Sequence, residues 1–239
     1  MFALGTIVNT LAILCGGLCG ALFGKLLGPR HQETLTRTCG VCSMFIGISG
    51  TLEKMLSIQN GSIVSSGSLL MIGCLTTGAL IGEILNIEDA FERFGAWLKV
   101  KSGNSKDKHF VDGFVTASLT VCIGAMAIVG AIEDGIQGDP SILLAKSVLD
   151  LIIITVMTCS MGKGCVFSAI PVAILQGGVT CFAKLIQPVM TDTALANLSL
   201  VGSVLIFCVG VNLVWDKRIR VANLLPAIVI AVAAAFLPF

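Results

Sequence analysis

The segment Ala145-Lys146-Ser147-Val148-Leu149-Asp150 sets an ammonium and a carboxylate four residues apart inside a long apolar run. On a helix, residues at i and i+4 share a face. If that helix starts near Pro140, Asp150 lies about 15 Å along its axis, close to the middle of a bilayer core about 30 Å thick. Each formal charge costs about 2.5–3.5 kcal/mol at a helix centre, so such residues face an interior and mark an ion, proton or solute path. A purely structural ion pair is the competing reading. Ser147 lies between the two charges. Asn9, Thr116, Ser118 and Gln176 are the neutral polar groups expected beside the path, Gln176 standing out next to Gly177 and Gly178. Each could instead bond a neighbouring helix. Glu133, Asp134 and Asp139 gather three carboxylates in one short stretch, read as an acidic outer mouth that draws cations or as a solvated turn.

Soluble-enzyme signatures are absent: the sequence holds no Walker loop, no His-Glu-x-x-His and no Gly-x-Ser-x-Gly. The two histidines, His31 and His109, fall in polar connectors, so no nucleophile and base come together and no enzyme is expected. Cys39-x-x-Cys42 is a lone pair without a second pair or a nearby histidine, so neither a metal site nor a cofactor is expected. The other cysteines sit mostly in apolar runs, where a thiol behaves as a small hydrophobe. A net charge of +1 points to no nucleic acid.

The elements that position these residues follow from composition. Apolar residues make up 55% of the 239 and charged residues 12%. A soluble domain carries about 25% charge. In hydrocarbon every backbone polar group must be satisfied within the protein, and the long Gly- and Ala-rich runs lack strand alternation. The expected class is all-α: a polytopic helix bundle forming one transmembrane domain over 1–239. Eight spans are predicted, at Phe2–Leu27, Leu35–Leu56, Ile63–Leu85, Phe110–Ile132, Pro140–Met161, Cys165–Ile186, Asn197–Trp215 and Val221–Pro238. With both termini outside, twelve of the fifteen Lys and Arg residues fall in inner loops, Lys106, Lys217 and Arg218 among them. That distribution is the positive-inside bias. Trp97 and Trp215 then lie at the inner interface.

The 86–109 stretch is expected to be cytoplasmic. Ile87, Phe91, Phe94 and Leu98 share a helical face suited to the headgroup layer, and Lys99 to His109 reads as a flexible basic tether. Ala-Ile-Leu-Cys-Gly-Gly at 12–17 and Ala-Ile-Leu-Gln-Gly-Gly at 173–178 raise an inverted repeat of helices 1–3 (within 1–85) and 6–8 (within 162–239) around a central hairpin at 110–161. Gly16, Gly20 and Gly24 line one edge of the first helix, and Gly78 with Gly82 repeats the spacing in the third. Small-xxx-small edges let helices approach closely in lipid. Pro171 and Pro226, early in their helices, are expected to kink or frame them.

Five ordered motifs run along nearly the whole chain. They are Gly5-Thr-Ile-Val-Asn9, Phe114-Val-Thr-Ala-Ser118 with Gly124-Ala-Met-Ala-Ile-Val-Gly130, Ala145-Lys146-Ser147-Val-Leu-Asp150, Phe167-Ser-Ala-Ile-Pro171 and Asn223-Leu-Leu-Pro226. Together they resemble the YqgA/YdfK-like bacterial membrane proteins, the family catalogued as domain of unknown function 554. The resemblance implies a bacterial inner-membrane protein and brings no established activity. The function expected from the residues is a small-solute or ion transporter, with an unidentified solute or cation and the lipid bilayer as partners and homo-oligomerisation left open. The alternative is a non-transporting scaffold or regulatory subunit that docks a partner through 86–109.

Overall fold

The computed structural model describes residues 3–59, 61–105, 107–215 and 219–237. Lys106, Lys217, Arg218 and the outermost ends of the first and last expected spans lie outside the described residues. The helices, in order, are α1 (Leu4–Gly24), α2 (Pro29–Met55), α3 (Ser68–Leu85), α4 (Ile87–Lys101), α5 (Phe110–Cys122), α6 (Ala125–Ile136), α7 (Ser141–Met161), α8 (Ala169–Cys181), α9 (Ala183–Ile186), α10 (Asp192–Trp215) and α11 (Pro226–Ala234). Short 3-10 turns cover Lys163–Ser168, Gln187–Val189 and Val221–Leu224. The strands among the described residues form one antiparallel hairpin of β1 (Leu56–Gln59) and β2 (Ser62–Ser65), with Ile58 opposite Ile63.

Five helical segments are long and apolar enough to cross a membrane: Leu4–Gly24, Ser68–Leu85, Ser141–Met161, Lys163–Cys181 and Asp192–Trp215. A bent pair, α5 with α6, is a sixth candidate. Several boundaries move from the sequence expectation. The second helix starts earlier, at Pro29, and ends at Met55. The third starts at Ser68, because Ser62–Ser65 is drawn into the hairpin. The fourth breaks at Ile123–Gly124 with a 61° bend between its halves. Gly124 has φ +145, a conformation that only glycine adopts without strain. Its second half then runs on to Ile136, so Glu133 and Asp134 belong to a helix and not to a loop. The 86–109 stretch is mostly ordered helix: α4 continues through Lys101, and the expected tether shortens to the turns after it. Pro171 and Pro226 both follow 3-10 turns and stand in the first turn of α8 and α11, where a missing N–H is tolerated.

Within the chain, two compact units can be described. Unit 1 contains α1, the start of α2, most of α4, α5 and nearly all of the stretch from α6 to α9. Its centre is the packing of α1 on α7. A Cβ on Gly16 would stand 2.5 Å from the Leu151 carbonyl oxygen; one on Gly20 would strike the Thr155 carbonyl; one on Gly24 would come 3.1 Å from Cys159 Cα. The numbers rise together on both helices, so α1 and α7 run in the same direction. Without the hydrophobic drive that water provides, such backbone approach supplies the dispersion contacts that hold helices together in lipid. Ile13, Ala117, Val121, Ile154, Met157, Cys165, Ala169 and Val172 fill the core between α1, α5, α7 and α8.

Unit 2 contains most of α2, the hairpin, α3, α10 and α11. Gly40 and Gly47 of α2 meet α10 at Leu213 and Phe207, numbers that fall as α2 advances, so this pair is antiparallel. Gly78 of α3 lies against Ala227, and Gly82 against the backbone of Asn223. Asn86, with φ 51, ends α3 in the left-handed cap conformation and turns the chain into α4. Asn223 is held from two sides: its Oδ1 accepts the Glu88 N–H at 2.7 Å and its Nδ2 donates to Glu83 Oε1 at 2.9 Å. The buried Glu88 carboxylate accepts the Ala222 N–H at 2.9 Å, at the start of the 3-10 turn, where unpaired backbone donors favour an anion.

Candidate functional site

Helix α7 begins cleanly because Asp139 Oδ1 accepts both the Ser141 N–H at 2.9 Å and the Ser141 hydroxyl at 2.6 Å. Those two hydrogen bonds, the side-chain bond first, hold the Asp139 carboxyl below its ordinary range. From that start the helical period carries Lys146 and Asp150 to one face in the middle of α7. Lys146 Nζ donates to Asp150 Oδ1 at 2.8 Å and Oδ2 at 2.6 Å. Its third bond goes to the Val121 carbonyl at 2.9 Å. Val121 lies at the end of α5, just before the break at Gly124. A helix C-terminus leaves carbonyls without intrahelical donors and carries partial negative charge, so the break prepares a seat for a cation.

Two other helices complete the site. Asn9 of α1 donates from Nδ2 to Asp150 Oδ2 at 3.0 Å and to Gln176 Oε1 of α8 at 3.1 Å. One helical turn away, the hydroxyls of Thr6 and Thr180 meet at 3.2 Å. Asn9, Gln176, Asp150 and Lys146 are 0%, 1%, 2% and 7% exposed, so the whole network is interior to unit 1. Two of its atoms have no partner: Asn9 Oδ1 and Gln176 Nε2.

Of the residues expected along the path, Lys146, Asp150, Asn9 and Gln176 therefore converge. Ser147, Thr116 and Ser118 do not. Ser147 and Ser118 turn their hydroxyls back to the Leu144 and Phe114 carbonyls of their own helices, and the Thr116 carbonyl accepts the Thr120 hydroxyl. The three carboxylates do not assemble into an outer mouth. Asp134 is buried, and its Oδ2 accepts the Gly5 N–H at 2.9 Å, capping the positive start of α1. Asp139 is engaged with Ser141, and Glu133 lies on α6 without joining either. The Val121 carbonyl and the Thr6–Thr180 contact went unread in the sequence. Their signals were Gly124 inside an apolar run, and the spacing of Thr6 to Asn9 and Gln176 to Thr180, each one helical turn.

The family model for the protein of unknown function DUF554 matches residues 4–236. This chain belongs to the DUF554 family. Among its relatives, an uncharacterized protein, YqgA, of Escherichia coli strain K12 is 31% identical over 232 residues, covering 95% of this chain and 94% of the relative. An uncharacterized membrane protein, YdfK, of Bacillus subtilis strain 168 is 28% identical over 232 residues, covering 97% and 95%. No solved structure matches the chain. The apolar helices and the membrane designation of the second relative agree: this DUF554 protein is a multi-pass membrane protein.

Proposed function

We propose that this DUF554 protein is a small-solute or ion transporter of the bacterial cytoplasmic membrane, with the Lys146–Asp150 pair at the centre of its path. The supporting observation is the buried network itself. A bidentate ion pair is held between a helix break and two amides, and an acceptor and a donor are left unfilled beside it. Discontinuous helices that offer backbone ends to a polar site at membrane depth are a recurring device of secondary transporters. A broken helix tolerates its freed backbone groups only where protein or a wet cavity satisfies them.

In this reading the chain crosses eight times. The six candidates are joined by α2, at 27 residues about 40 Å long, and by the shorter apolar segment Val221–Ala234. Both termini face outward and α4 lies on the cytoplasmic side, its exposed Trp97 and Val100 in the headgroup layer. The recurrence we favour joins α7–α8 with α10–α11. Each is a long helix, then a 3-10 turn, then a helix with proline in its first turn. With eight spans these two pairs run in the same sense. The inverted relation of helices 1–3 to 6–8 draws less support, since α1 is continuous where α8 begins with a 3-10 turn.

The test is flux in proteoliposomes after a thermal-shift screen of amino acids, amines, amides and metal ions. Asp150→Asn should insert and fold yet lose both the shift and the flux. Wild-type flux in that variant would remove the pair from the path. Should no solute register while α4 captures a protein partner, the scaffold reading takes its place. Alkaline phosphatase fused to the C-terminus should be active, and activity only in fusions after Lys101 would reverse the topology.

A further inference from the structure

We propose that the site's occupant is a small uncharged solute with a hydrogen-bond donor and an acceptor on one carbon, of the carboxamide or urea type. The inference rests on the transporter reading above and assigns its substrate class. Three observations carry it. First, the site offers no unbalanced charge. Lys146 directs its ammonium to the two Asp150 oxygens and the Val121 carbonyl, and an ammonium has three donors. A charged guest beside this neutral pair would be buried without a counter-ion, which is strongly unfavourable. Of the nearby carboxylates, Asp134 is buried with Oδ2 on the Gly5 N–H and Asp139 is bound to Ser141, and neither bonds to a group of the network.

Second, the unfilled atoms have opposite hydrogen-bonding character. Asn9 uses both Nδ2 protons, on Asp150 Oδ2 and Gln176 Oε1, and that double use fixes how the two amides are turned. Flipping Asn9 would aim its carbonyl oxygen at a carboxylate. What remains is one acceptor, Asn9 Oδ1, and one donor, Gln176 Nε2, in residues 0% and 1% exposed. A buried polar atom without a partner is destabilising, so a guest that pairs with it gains affinity. A carboxamide carries the complementary N–H and C=O, so a single guest can satisfy both. Third, the polar groups one helical turn from the amides are also uncharged: the Thr6 and Thr180 hydroxyls meet at 3.2 Å.

Three isosteric planar probes separate the possibilities: acetamide, with donor and acceptor and no charge; acetate, an anionic acceptor; and acetamidinium, a cationic donor. Purified full-length protein is tested by thermal shift in detergent, and proteoliposomes by saturable uptake above empty vesicles. Acetamide should stabilise and enter, and neither charged isostere should. Gln176→Met keeps the shape and removes the free donor together with the Oε1 that accepts Asn9 Nδ2. It should weaken the apparent affinity for acetamide at least about tenfold, the equivalent of one neutral hydrogen bond, while the variant still inserts and folds with a somewhat lower melting temperature.

Preference for acetate or acetamidinium overturns the inference and leaves the transporter reading standing. The same holds if all three probes are inert but another solute moves in an Asp150-dependent way. If only osmotic water flow rises, and Gln176→Met slows it, the unfilled atoms hold water and the amide assignment falls. If nothing moves and Asp150→Asn matches the wild type throughout, both readings fall together.

Discussion

Replacing Lys146 by Met should destabilise the protein far more than the loss of one surface charge would. The substitution removes bonds of 2.8 and 2.6 Å to Asp150 and 2.9 Å to the Val121 carbonyl. Asp150, 2% exposed, keeps the Asn9 amide but loses its counter-ion. Breaking one partner out of a buried pair costs about 3–5 kcal/mol. Asp150→Leu strands the ammonium in the same way and should fall in the same range. The double variant Lys146→Met with Asp150→Leu removes both charges, and apolar replacement of a buried pair is neutral or stabilising by about 1–4 kcal/mol. Against that stands the Val121 carbonyl, which loses its donor at a cost of about 1–3 kcal/mol, while Asn9 keeps Gln176. The double variant should therefore lie within about 2 kcal/mol of wild type, giving a coupling energy of about 4 kcal/mol or more. Equilibrium unfolding in mixed SDS–detergent micelles measures all four corners of the cycle. Additive losses, with the double variant below both single ones, would refute the buried pair. A stable double variant without flux would separate the pair's role in transport from its role in folding.

Helix packing gives a contrasting pair. Gly20→Val pushes a side chain against the Thr155 carbonyl and should cost about 2–3 kcal/mol by forcing α1 from α7. Gly73→Ala meets nothing within 4 Å on exposed α3 and should be neutral or stabilising by about 0.5–1 kcal/mol; equal thermal midpoints for the two would refute the α1–α7 approach. Asp134→Ala removes the acceptor for the Gly5 N–H and should cost about 1–2 kcal/mol in thermal unfolding, with amide exchange at the start of α1 speeding up. Asp139 is held below its ordinary range, so its contribution is present above about pH 4 and fades as the pH falls through its folded value. An Asp139→Asn variant should lose that acid-side slope in a melting-temperature profile, and an unchanged slope would place the titration elsewhere.

Much of this was legible locally. Lys146 and Asp150 share a face because the helical period alone decides it, and a bilayer makes any long apolar run helical. That the chain is helical and crosses a membrane several times needed no tertiary information. Local reading failed where a residue's partner is distant. Asp134 looked like part of a loop because its carboxylate follows an apolar run, yet it caps a helix 129 residues earlier. Ser118 looked like a path residue because it is polar at depth, but its hydroxyl satisfies itself on the Phe114 carbonyl of the preceding turn. Ile63 read as helix because its neighbours are apolar, whereas backbone pairing with Ile58 made it strand.

The order of residues thus determined a helical membrane protein with an opposed charge pair on one helix face, since composition and period act over a few residues and the surrounding lipid enforces them. It could not determine what meets that pair. Asn9 reaches Asp150 across 141 positions of chain and Gln176 across 167. Those meetings exist because glycines let α1 lie directly on α7 and a broken α5 offers the Val121 carbonyl to the same ammonium. Distance along the chain carries no trace of such contacts; only the packing of whole helices brings the groups together.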